Sequence, residues 1–286
     1  MSSSAVVFGA SAALAWGLAD VGIALATRRA GFFRTVCAVH LASVGLLLAL
    51  ALVLDDAPAL SGTQWALVAM LGPLGVFAHM GFYRALELGP IAIVSPIASA
   101  NGALVVLLAV GLLGESLAAG QALGCAVVLG SVVLASLGPG EALAGPAAGP
   151  SGIRLAVLSS LAFGVYLFGL GQLSGDLGWL LPILLSRSVS LAVLAVLALQ
   201  RREWPWQRLR GRDLAFVGAV GGAEAAGYLL FNRGTEVQVA LTAAAASAYP
   251  LIPILVGLAL MREHVRPLQL LGVVGVLGGM AVLGLS

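Results

Sequence analysis

Three ionisable side chains, Asp20, Arg187 and Glu224, stand inside long apolar runs of the chain. A charge in hydrocarbon is costly, so such groups face a protein interior or a watery cavity and find partners there. The planar fork of Arg187, flanked by Ser186 and Ser188, suits a carboxylate or phosphate. Its plainer use is as counter-ion to Glu224 or Asp20. Glu224 is a candidate to take up and release a proton. Tyr228 follows it by one helical turn and Asn232 by two, which makes a polar stripe. Asp20 lies one turn after Trp16, so a carboxylate and an aromatic surface share one helical face; a structural hydrogen bond is its alternative. His79, one turn before Tyr83, is either a site residue or a packed, hydrogen-bonded histidine.

Familiar catalytic patterns are missing. The chain has no H-E-x-x-H, no G-x-S-x-G, no nucleotide-binding loop and no metal-ligand spacing. Its three histidines are scattered, and Cys37 and Cys125 lie in separate apolar runs as expected buried thiols. The expectation is a protein that is not an enzyme and needs no metal or cofactor. Nothing suggests nucleic acid as a partner: the arginines of the 201–212 segment, with Trp204 and Trp206, read as an anchor at a lipid surface.

The elements that position these groups follow from composition. Of 286 residues, 60% are hydrophobic and 9% charged, and the mean hydropathy is +1.08. A soluble domain carries roughly a quarter charged residues. About 20 apolar residues of helix cross a bilayer, and ten such runs are present, at 5–27, 35–54, 64–87, 90–113, 118–137, 153–174, 180–200, 213–235, 239–261 and 267–285. They are continuously apolar, unlike alternating barrel strands, so the fold expected is an all-α polytopic membrane protein. Residues 1–4 carry no charged side chain, which favours a retained first helix over a signal peptide.

All 14 cationic residues are arginines, and they are unevenly spread. Arg233 is the one arginine in an even-numbered connection and Arg187 lies within a span; the rest are at odd-numbered connections. The positive-inside rule then puts those connections in the cytoplasm and both termini outside.

The two halves overlay. At an offset of 148, Leu112, Glu115, Gln121, Leu123 and Gly124 fall on Leu260, Glu263, Gln269, Leu271 and Gly272. This divides the chain into a first five-helix repeat, 1–137, a linker, 138–152, and a second repeat, 153–286. An odd number of spans inverts the second copy, as in many secondary transporters. Val94, Ala98 and Asn101 fall on Thr242, Ala246 and Tyr249, so Asn101 and Tyr249 become matched polar groups at mid-depth. Pro96, Pro250 and Pro253 interrupt the same helices. At an offset of 147, His40 falls on Arg187 and Trp16 on Phe163, for which packing is the simpler account. Glu115 and Glu263 are expected as acceptors at helix N-termini. The pairs Gly120/Gly124 and Gly275/Gly279 allow close helix contact, either internal or between two copies in a homodimer.

Ala13-Leu14-Ala15-Trp16-Gly17, Tyr83-Arg84-Ala85-Leu86, Leu112-Leu113-Gly114-Glu115, Leu260-Met261-Arg262-Glu263 and Pro267-Leu268-Gln269-Leu270-Leu271-Gly272 occur in order across the chain. In these motifs the sequence resembles the EamA-like ten-helix branch of the drug/metabolite transporter superfamily. The resemblance implies a central cavity lined by spans 1–4 and 6–9, with 5 and 10 peripheral. Many members have both termini in the cytoplasm, opposite to the arginine count.

The function expected is secondary-active export of a small polar metabolite, an amino acid or related zwitterion or organic anion, by alternating access across a plasma (bacterial inner) membrane. Proton coupling would run through Glu224. The expected substrate-binding residues are Trp16, Asp20, His79, Tyr83, Asn101, Arg187, Glu224, Tyr228 and Tyr249. Two alternatives stand beside this: proton-coupled efflux of lipophilic cations or drugs, using Trp16, Asp20 and Glu224, and a lipid-head-group flippase. A monomer and a homodimer are equally compatible.

Overall fold

In hydrocarbon a backbone must satisfy its own polar groups, so each apolar run winds into a helix. The computed structural model describes residues 2–54, 59–89, 91–136, 150–204, 211–261, 271–272, 274–276, 278–279 and 282. Among these residues there are helices and no strands. The first three expected spans are α1 (Ser2–Ala30), α2 (Phe32–Leu54) and α3 (Gly62–Leu88). The fourth is divided into α4 (Ile91–Ser99) and α5 (Asn101–Leu113), and α6 (Ala119–Ser136) follows. The second half runs α7 (Pro150–Leu177), α8 (Leu181–Arg201) and α9 (Gly211–Thr235), then a divided pair, α10 (Val239–Ala246) and α11 (Leu251–Met261). The described residues between 271 and 282 are helical. Seven helical stretches are long and apolar enough to cross a membrane, counting Val239–Val256 as one; Ile97–Leu113 and Ala119–Ser131 are shorter apolar helices. Residues 138–149 of the expected linker, and Trp206, Glu263 and Pro267, lie outside the described residues, while the last three residues of that linker open α7.

Local sequence sets the helix ends. Gly31, at φ 86°, makes the left-handed turn between α1 and α2. Ser61 caps α3: its hydroxyl accepts from Gln64 N–H at 3.3 Å, while Gln64 Oε1 accepts from Ser61 N–H at 2.9 Å.

The two divided helices break at matched places. Ala100 N–H donates to Ile97 O at 3.3 Å, and the equivalent turn has Ala248 N–H donating to Ala245 O at 3.2 Å. In the second copy the cause is Pro250, which has no N–H to continue the ladder. In the first copy α4 runs on through Pro96, and the break falls at Ala100 instead. There the chain turns into a close approach. A Cβ on Gly102 would overlap Ser247 Oγ and lie 3.0 Å from Ala243 O, so glycine at this position lets α5 lie flush against α10.

The described charged and polar loop residues separate into two ends. At one, Arg34 lies 4.0 Å from Glu203, Arg84 stacks over Phe32 at 5.4 Å, and Arg201 stacks over Phe33 at 4.9 Å. These bring the first, third and seventh connections together. At the other end Gln64 donates to Asp176 Oδ2 at 3.1 Å, and Asn232 Nδ2 donates to Trp179 O at 3.0 Å. Glu115 is also there. It caps a helix N-terminus as expected, but of α10 in the other half: its two oxygens accept from Val239 N–H and Ala240 N–H, each at 2.9 Å. Gly275 and Gly279 face α6, against Ser131 and Val128, so this glycine pair makes an internal contact.

Candidate functional site

The helices enclose a cavity of about 430 Å³, counting the part open to solvent. Eight of the nine expected site residues line it. Trp16 and Asp20 come from α1, and His79 and Tyr83 from α3. Asn101 begins α5, Glu224 and Tyr228 project from α9, and Tyr249 sits in the turn between α10 and α11. The matched breaks of the two divided helices therefore put Asn101 and Tyr249 into one wall. Phe163, expected as packing, lines the cavity too, its ring 4.8 Å from His79.

Arg187 is not in the lining. It has no exposed surface and sits behind Glu224. Its Nη2 lies 3.0 Å from Glu224 Oε1 and its Nη1 donates to Oε2 at 3.2 Å, a two-pronged pair. The guanidinium also stacks 4.7 Å from the Tyr228 ring centre. Tyr83 donates to Glu224 Oε1 at 3.3 Å. Of the two expected uses of Arg187, this geometry is that of the counter-ion.

His79 joins the same network. Its Nδ1 lies 2.6 Å from Gly75 O, and because a carbonyl only accepts, Nδ1 carries a hydrogen. In a neutral ring Nε2 is then an acceptor, with Tyr228 Oη at 3.0 Å and Arg187 Nη2 at 3.1 Å. Nε2 is also 3.1 Å from Glu224 Oε1, a contact that becomes a hydrogen bond only when the ring is doubly protonated. His40, which the repeat overlay matches to Arg187, does not line the cavity either; its ring packs edge-on against His79 at 4.8 Å.

Asp20 is held differently. Ser95 donates to its Oδ2 at 2.8 Å, and among the described residues no arginine or histidine pairs with it. Its carboxylate faces the cavity at 5% exposure. An aromatic wall stands one turn away. Trp16 lies 5.1 Å from Tyr228, 5.5 Å from Phe231 and 6.3 Å from Tyr249, ring centre to ring centre. The Trp16 ring is admitted by Gly227, where any Cβ would strike the indole. Its Nε1 is buried and has no hydrogen-bond partner among the described residues.

Sequence reasoning missed Ser95, Tyr166 and the structural part played by Ser186, whose Oγ lies 3.0 Å from Tyr166 Oη. Ser95 offered one signal, a hydroxyl beside Val94 in an apolar helix. Thr242, matched to Val94, serves structure: it donates to Gln238 O at 2.8 Å and reaches Ala5 O at 3.4 Å. Asn232 closes the polar stripe of α9 at the far end, away from the cavity.

The family model described as the EamA-like transporter family matches twice, over residues 3–137 and 150–285. A solved structure described simply as "Crystal structure of protein" shares the fold, with a TM-score of 0.75 over 99% of this chain and 98% of that one at 21% identity. No curated relative matches the chain.

Proposed function

Because the chain belongs to the EamA-like transporter family, and so is a membrane transporter of the drug/metabolite type, we propose that it exports a small amine-bearing organic metabolite by alternating access. The observation that carries this reading is Asp20. Burying a carboxylate costs several kcal/mol even after relaxation, and a hydrogen bond to a charged group returns about 1.5–3 kcal/mol. The Ser95 hydroxyl alone leaves the balance unfavourable, so Asp20 needs a cation or a proton. Glu224 does not, because Arg187 already serves it.

A substrate ammonium on Asp20 would lie against the rings of Trp16, Tyr228 and Tyr249, an arrangement suited to organic cations. The Trp16 N–H and Asn101 could then meet an acceptor on the same ligand, such as the carboxylate of an amino acid. Arg187 becomes the fixed counter-ion that keeps Glu224 charged and the wall rigid. Proton coupling then belongs to Asp20 rather than to Glu224. Proton and ammonium exclude one another on the same carboxylate, and exchange between them drives export. His79, Tyr83, Glu224, Tyr228 and Tyr249 are the other ionisable groups in the cavity lining.

The reading includes ten spans in two inverted five-helix repeats, a bacterial inner membrane, and the arginine-rich end in the cytoplasm. Efflux of lipophilic cations is the second reading, favoured by the breadth of the aromatic wall around Trp16. The test is a thermal-stability screen of purified protein against amines, amino acids, organic anions and lipophilic cations. Stabilisation by small amines that is absent in Asp20→Asn supports the proposal. Stabilisation by organic anions alone overturns it, and stabilisation by bulky lipophilic cations alone selects the second reading.

A further inference from the structure

α5 and α10 lie side by side in opposite directions. At one end a Cβ on Gly102 would overlap Ser247 Oγ and lie 3.0 Å from Ala243 O, so the two helices meet flush there. At the other, Glu115 reaches from just beyond α5 to the start of α10 and accepts from Val239 N–H and Ala240 N–H, each at 2.9 Å. Those donors belong to the helix start, where backbone N–H groups have no partner within the helix. The N-cap residue Gln238 supplies no side-chain bond. A carboxylate there gains both charge-assisted hydrogen bonds and the favourable helix dipole.

The inner ends of these helices are cavity wall. α5 opens with Asn101, and α10 runs into the turn that carries Tyr249. The pair thus stands between the cavity and the end of the molecule formed by the even-numbered connections. Glu115 belongs to the first repeat and Val239 to the second, so the link ties the two halves that alternating access must separate.

We propose that Glu115 is a latch between the repeats, holding the cavity shut toward the even-numbered connections and releasing when it opens that way. Gly102 and Ser247 supply the flush contact that the latch locks. The latch rests on alternating access but not on the identity of the substrate, since it touches no ligand. Its release would free two N–H groups and one carboxylate to water, so the closed and open states exchange hydrogen bonds rather than lose them.

The test is side-resolved labelling of the full chain in liposomes. Cys37→Ala and Cys125→Ala remove the native thiols, and Ala19→Cys places one in the cavity wall. A membrane-impermeant maleimide is supplied to one face at a time, with orientation fixed by a tag. Glu115→Ala should raise the labelling rate from the even-connection face by roughly tenfold, the effect of losing one charge-assisted hydrogen bond or more. Glu115→Gln, which keeps one acceptor oxygen, should give a smaller rise and covers the case in which Glu115→Ala fails to fold. An unchanged ratio of rates between the two faces in a folded variant overturns the latch. A thiol that in every variant reacts from one face alone counts against alternating access itself, and the latch falls with it.

Discussion

Arg187 grips Glu224 with two nitrogens, at 3.0 Å and 3.2 Å, entirely out of solvent behind the cavity wall. This pairing decides how the two buried carboxylates differ. Glu224 is charge-compensated from within the protein, and Asp20 has a hydroxyl donor but no cation among the described residues. The site thus has one spoken-for anion and one that is available.

Removing Arg187 strands Glu224. Arg187→Met should destabilise the protein by about 3–5 kcal/mol, the cost of an uncompensated buried charge. The double variant Arg187→Met with Glu224→Gln should regain much of this. Thermal unfolding in detergent, comparing Tm for both single variants and the double, checks it; additive losses would contradict the pairing.

Asp20→Asn strands nothing, so its Tm should stay near that of the parent. It should nevertheless bind the amine much more weakly, and that residual binding should not depend on pH. As proton and ammonium compete for one carboxylate, lowering the pH at the substrate side should weaken apparent amine affinity in the parent and leave the variant unmoved. Measuring apparent affinity against pH in both proteins separates the cases.

Trp16→Ala should weaken binding of an organic ammonium roughly 2- to 30-fold, the range expected for a lost cation–π contact. Trp16→Phe should retain most of the affinity for an ammonium that carries no acceptor, because an aromatic face remains at the same place. Direct titration of the two variants reports this, and equal losses would assign the effect to the N–H instead.

Gly102→Ala should cost about 1–3 kcal/mol through overpacking against Ser247. Adding Ser247→Gly should recover most of it. Paired Tm measurements test the contact between the two divided helices, and no recovery would place the strain elsewhere.

Much of this was legible because polar residues are scarce in the chain. Asp20, His79, Tyr83 and Glu224 could be picked out as expensive groups in apolar runs, and all line the cavity. The halves overlaid closely enough to pair Asn101 with Tyr249, which the broken helices bring into one wall. Partnership was harder to read. Arg187 and Glu224 lie on different helices, and nothing in their spacing tells whether a guanidinium faces the cavity or turns behind its wall. Ser95 was invisible for a different reason: a serine in an apolar helix ordinarily bonds its own backbone, as Ser174 does with Leu170 O at 2.8 Å. For Glu115, the helix-end role was readable but its partner was not, since the helix it caps belongs to the other repeat.

The most direct test of the central claim is transport in proteoliposomes of an amine found by the screen, set against its N-acetylated form, in the parent and in Asp20→Asn. The account predicts movement of the free amine by the parent, none of the acetylated form, and none of either by a folded Asp20→Asn. Equal transport of amine and acetylated amine, or full activity in Asp20→Asn, would contradict it.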